Sequence, residues 1–197
     1  CGCEIYQDKS FRSLTFNYPG YELKFIQKRK VSDGSAHRFT IYYKFYSPIT
    51  KYFYILTAEY HDEGVFAIKF YCKKDRNSDY KYSKIVNKGD LGNILVTCAK
   101  AVPLLLEDYP DASFGFIGSR SVDSKSRTIE GYNSNQRFRT YRYIVQEKFG
   151  NKTFEHIEYP TISGYLLLNR RSFNDIEYKK ALISSMVRDT YVYLPDL

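Results

Sequence analysis

Tryptophan is absent from this chain, methionine occurs once, at Met186, and His37, His61 and His156 are its only imidazoles. Acid–base catalysis therefore has few side chains to draw on. No Gly-x-Ser-x-Gly elbow, His-Glu-x-x-His helix, Walker lysine loop or dinucleotide glycine fingerprint occurs, and the carboxylates are scattered rather than paired. The chemistries carried by those patterns receive no support. Apolar runs are short as well: none approaches the roughly 20 residues that span a bilayer. Nor does a basic start followed by an apolar stretch read as a signal peptide.

Cysteine is sparse and badly spaced for a framework. Cys1 and Cys3 are separated by one residue, whereas structural zinc pairs need at least two, and Cys72 and Cys98 stand alone. Free thiols in a reducing, cytoplasmic compartment are the expectation. A first-residue Cys1 also fits a lipidated mature end, in which case the chain would be a lipoprotein. Asn151-Lys152-Thr153 would accept a glycan only in a eukaryotic secretory setting.

Aromatic side chains are plentiful, with 21 Tyr and 14 Phe, and the formal charge is +8. Tyr and Phe favour strands because flat rings pack on a pleated surface, so a large sheet is expected. The basic excess admits nucleic acid, an anionic membrane or an acidic protein as partner, and equally a role in solubility alone. At 43% apolar and 26% charged residues, the chain has the composition of a folded domain. Its 197 residues suit a single domain.

Hydrophobic periodicity divides that domain. "YELKF" alternates Tyr21, Leu23 and Phe25 against Glu22 and Lys24, and "FTIYYKFY", "YFYILTAEY" and "VFAIKFYC" follow as strands, broken at Asp33-Gly34, near Pro48 and at "HDEG". An antiparallel meander over residues 1–75 is the natural reading. From Asp90, a candidate N-cap, Ile94, Cys98, Val102, Leu105 and Tyr109 recur at helical spacing, with a kink or restart expected at Pro103. A buried strand "SFGFIG" leads into a polar loop, Ser119 to Gly131. A second helix, capped by Asn133 or Ser134, then carries Phe138, Tyr141, Val145 and Phe149 on one face and Arg139 and Arg142 on another. Strands "TFEHIEY" and "GYLLLNR" follow. A last helix opens at Ser172, with Asp175 completing a short capping box, Lys179 toward solvent, and Ile176, Leu182, Ile183 and Met186 inward. The fold class is α+β: a meander packed against a helix, then strand, helix, two strands and helix.

Between residues 115 and 150 seven basic side chains stand against three acidic ones, half the chain's formal excess. Arginine suits phosphate because its planar fork donates two parallel hydrogen bonds. "GSRS" adds the hydroxyls of Ser119 and Ser121 and small-residue amides able to cradle an anion. Arg120, Arg127, Arg137, Arg139 and Arg142 are therefore the candidate phosphate ligands, and Tyr141 and Tyr143 the candidate stacking partners for bases. A solvated helix face, with arginines paired to Glu147, Glu155 or Glu158, fits the same residues.

His61-Asp62-Glu63 supplies too few ligands for a metal and reads as a hairpin tip, so neither metal nor cofactor is expected. Beside Arg120 and Arg137, His156 would serve a metal-independent ribonuclease as general base.

"YPDASFGFIGSRS", "NQRFRTYRYIVQEKFG" and "ISGYLLLNRR", in that order, resemble a group of small bacterial α+β domains of unknown function, over roughly residues 20 to 171. The resemblance implies a compact cytoplasmic domain and brings no activity. Shorter members of that group carry a threonine-arginine pair soon after the glycine-serine, where this chain has an extended loop bearing Arg120 and Arg127. The functional expectation is a basic, non-enzymatic module binding RNA, single-stranded DNA or a phosphate-bearing ligand. The alternatives are a protein-partner module, such as an immunity, toxin–antitoxin or phage-conflict component with an acidic partner, and the ribonuclease.

Overall fold

A computed structural model describes residues 18–84, 88–120, 122–123 and 128–191. Its framework is a seven-stranded sheet of strands β1 (Lys24–Lys30), β2 (His37–Ser47), β3 (Tyr52–His61), β4 (Val65–Cys72), β5 (Ser113–Ile117), β8 (Phe154–Tyr159) and β9 (Gly164–Asn169). They run in the order β1-β2-β3-β4-β5-β9-β8. Only β4 and β5 pair in parallel; every other neighbour is antiparallel. Two short strands, β6 (Val122–Asp123) and β7 (Thr128–Ile129), form a separate ribbon within what the sequence reads as an irregular loop. The α+β class and the opening meander are thus as the periodicity implies.

Strand alternation sorts the side chains onto two faces. One carries Tyr43, Phe45, Leu56, Phe66, Phe114 and Leu167, which close a core with Ile94, Cys98, Val102 and Leu105. Those last four come from helices α1 (Leu91–Ala99) and α2 (Ala101–Asp108), and α3 (Gln136–Lys148) adds Phe138 and Val145. The opposite face carries Val65, Leu166 and Leu168 against Ile183 and Met186 of α4 (Ile176–Thr190). Cys72 and Cys98 are buried free thiols, and burial pushes both above the ordinary thiol range.

Several boundaries differ from the sequence reading, each for a local reason. Regular pairing begins at Lys24, so Tyr21 and Leu23 pack on the core from outside the strand while Phe25 is exposed. The break in the first helical stretch falls at Lys100 rather than Pro103. Pro103 instead occupies the first turn of α2, where a backbone N–H has no partner within the helix anyway. Asp90 makes no cap; its carboxylate accepts from the Tyr21 hydroxyl, Ser47 Oγ and Asn93 Nδ2. Asn135, not Asn133 or Ser134, caps α3 by accepting from Phe138 N. Asp175, not Ser172, caps α4, and Ser172 donates to the Asn169 carbonyl instead. Lys179 faces inward and pairs with Glu63 at 2.9 Å.

Candidate functional site: a slot between two parting strands

The parallel pairing of β4 with β5 lasts three residues, Val65–Ala67 against Ser113–Gly115. Beyond it β4 continues to Cys72 beside β3, while β5 follows β9. The two strands part, and a cavity of about 250 Å³ opens at their C-terminal ends. Open sheets place ligands at such ends, where neighbouring strands diverge. Ile117, Leu166, Ile183, Met186 and Val187 form much of an apolar wall. Arg137, Lys69, His61, Tyr82, Ser119 and Tyr191 supply its polar groups.

The sequence-nominated arginines do not share one surface. Arg137 points inward, is buried, and donates to the backbone carbonyls of Tyr82 and, at 2.9 Å, Lys84. Among the described residues no carboxylate pairs with it. Arg139 folds back onto the Ser134 carbonyl at 2.5 Å. Arg142 donates through Nε to Glu158 at 2.8 Å, with Gln146 on the same oxygen. The guanidinium of Arg120 lies 3.9 Å over the Tyr132 ring. Ser119 lines the cavity, whereas Ser121 and Arg127 lie outside the described residues.

Tyr141 and Tyr143 also part company. Tyr141 lines the cavity beside Phe116, and burial pushes its phenol well above the ordinary range while the Arg137 charge opposes the rise. Tyr143 is exposed. Within "GSRS" the Gly118 amide donates to the Ser163 carbonyl at 2.9 Å, and the N-terminus of α3 beside it is capped from within the chain. Asn135 accepts from Phe138 N and donates to the Gly118 carbonyl, and the Glu130 carboxylate accepts from Gln136 N at 2.6 Å. Gly118 allows this close approach, since a Cβ there would meet Asn135 Oδ1 at 2.5 Å.

His156 lies on β8, where its Nδ1 shares a 2.8 Å hydrogen bond with the Tyr165 hydroxyl. Its Nε2 is buried without a hydrogen-bond partner among the described residues. Burial lowers its pKa, and the charge of Arg170 acts in the same direction. Neither Arg120 nor Arg137 hydrogen-bonds to it.

A second polar group, not foreseen from sequence as a unit, adjoins the slot. His61 is 1% exposed and sits at the end of β3, not at a loop tip. Its Nδ1 donates to the Glu59 carbonyl at 2.9 Å and its Nε2 lies 3.0 Å from the Tyr191 hydroxyl. That hydroxyl is also 3.1 Å from Glu59 Oε2, which Lys69 Nζ approaches at 2.5 Å. The His37 ring stacks on His61, centroids 5.0 Å apart. Burial first, and the nearby His37 second, depress the His61 pKa. The Tyr191 phenol is pushed up by burial and by the Glu59 charge, and Tyr82 likewise, to about 12. His37, Glu59 and His61 bring one ligand atom each within 4.8 Å of one another. Asp62 and Glu63 are committed elsewhere, to Arg38 and Lys179.

No family model, curated protein or solved structure matches this chain.

Proposed function

We propose that the chain is a binding module for a small molecule with an apolar body and one anionic group, a carboxylate or phosphate, taken up in the slot where β4 and β5 part. The observation that carries this reading is Arg137: a buried guanidinium beside a cavity, held by two carbonyls and balanced by no carboxylate among the described residues. Burying a charge without a counter-charge is costly, and an anion in the cavity would remove that cost. Two of the five guanidinium donors are not enough to satisfy the group, so the others remain for a ligand. The aliphatic wall of Leu166, Ile183, Met186 and Val187 suits an alkyl or aryl body.

Thermal unfolding with octanoate, octyl phosphate and uncharged octanol tests the reading. A stabilisation by either anion that exceeds that of octanol and is lost in Arg137→Gln is expected. Equal shifts from all three compounds, or an undiminished anion effect in the variant, would sink it. Single-stranded RNA or DNA is the second reading, and Arg120 lying over the exposed ring of Tyr132 supports it. A short oligouridylate whose affinity falls steeply with salt and requires Arg120 would favour it.

A further inference from the structure

His37 and His61 face each other across β2 and β3, because a register shift between His37 and Phe39 sets the two histidines opposite one another. Glu59 is two residues from His61 on the same strand and therefore on the same face. We infer that His37, Glu59 and His61 form a binding site for a divalent first-row metal, zinc in the first instance, beside the slot. This inference stands apart from the anion-binding reading.

Tautomers support it. A backbone carbonyl only accepts, so the contact of His61 Nδ1 with the Glu59 carbonyl places the proton on Nδ1 and leaves the lone pair on Nε2. At His37, Nε2 lies 3.2 Å from the Phe39 carbonyl and 2.9 Å from the Thr40 hydroxyl; with both accepting, its proton is on Nε2 and its lone pair on Nδ1. Each imidazole thus has one nitrogen anchored to backbone and one able to ligate, that of His61 once the metal displaces the Tyr191 hydroxyl from Nε2, and such anchoring is the outer-shell arrangement that orients metal-binding histidines. Zinc bonds of about 2.0–2.2 Å set ligand atoms roughly 3.4 Å apart. From 4.8 Å, small side-chain rotations on a well-paired hairpin close the set.

The position already holds a positive charge: the Lys69 ammonium sits on Glu59. A divalent ion would replace it, and Lys69, whose side chain is 30% exposed, can turn toward solvent. Lys69 is therefore a competitor with the metal for the Glu59 carboxylate. Two imidazoles and a carboxylate suit zinc and leave a fourth position for water or for a group in the cavity that His61 lines.

The test uses the full chain with Cys1→Ser and Cys3→Ser, to remove competing thiols, dialysed against a chelator and titrated calorimetrically with zinc chloride. One zinc per chain is expected, weakened by roughly tenfold or more in His37→Ala and in Glu59→Gln, and tightened in Lys69→Met. His37 is only half-buried, so its variant reports on ligation without emptying the core. Absence of stoichiometric zinc binding, or affinity unchanged by both ligand variants, would overturn the site. Cobalt(II) absorption in the visible, lost in the same variants, provides an independent readout, and neither measurement depends on an anion entering the slot.

Discussion

Arg137 and Arg142 lie on one helix, yet the slot and the outer face of α3 treat the same side chain in opposite ways. On the outer face Arg142 meets Glu158 in water, and Arg139 satisfies itself on the carbonyl of Ser134. In the slot Arg137 is buried, held by neutral carbonyls, and lacks a counter-charge among the described residues. Dense charge along a sequence marks where arginines occur. Burial without compensation marks where one still has something to bind.

Removal of the inner arginine is the strongest way to sharpen this contrast. Arg137→Ala withdraws donors from the Tyr82 and Lys84 carbonyls and is expected to cost about 2 kcal/mol in urea unfolding. A loss below about 0.5 kcal/mol, the usual range for a surface change, would erase the distinction between the two faces. Arg139→Ala/Arg142→Ala comes next. The exposed pair with Glu158 contributes little, so the double variant should lose less than about 1 kcal/mol and keep its affinity for a slot ligand unchanged. Loss of slot binding there would show that the outer face takes part.

A smaller effect belongs to pH. His156 is held neutral by burial, with its folded pKa below the ordinary histidine value. Its unfolded form therefore takes up a proton that the folded form resists, so stability is full above about pH 6.5 and falls as the pH drops below that. His61 acts with the same sign. His156→Gln should flatten part of the acid-side slope of stability against pH; an unaltered slope would show that this imidazole already protonates freely in the folded chain.

Local pattern made the sheet legible. β4 coincides with "VFAIKFYC", β3 extends its run by one residue, and β2 extends its run by two residues at the start and one at the end. Helix starts were harder, because Asn133, Ser134 and Asn135 are all acceptable caps and only packing decides that Asn135 reaches both Phe138 N and Gly118. The slot was not legible, since it depends on how briefly β4 and β5 pair, a nonlocal quantity that no window of sequence contains. Arg137, Arg139 and Arg142 read from sequence as one cluster, yet their side chains leave α3 toward different partners, which a charge count along the chain does not contain. The histidine pair could have been found by counting outward from the turn near Pro48, which brings residues 38 and 61 opposite before the register shift substitutes His37. Tyr191 and Tyr82 reach the cluster through tertiary packing alone.

Whether the charge of Arg137 selects an anion is decided most directly by a calorimetric cycle, octyl phosphate and octanol each titrated into the native chain and into Arg137→Gln. A preference for the anion of roughly tenfold or more, equivalent to about 1.4 kcal/mol, that disappears in the variant is the expected result. A preference of the same size in both proteins would contradict the account, because the anion would then be recognised without Arg137.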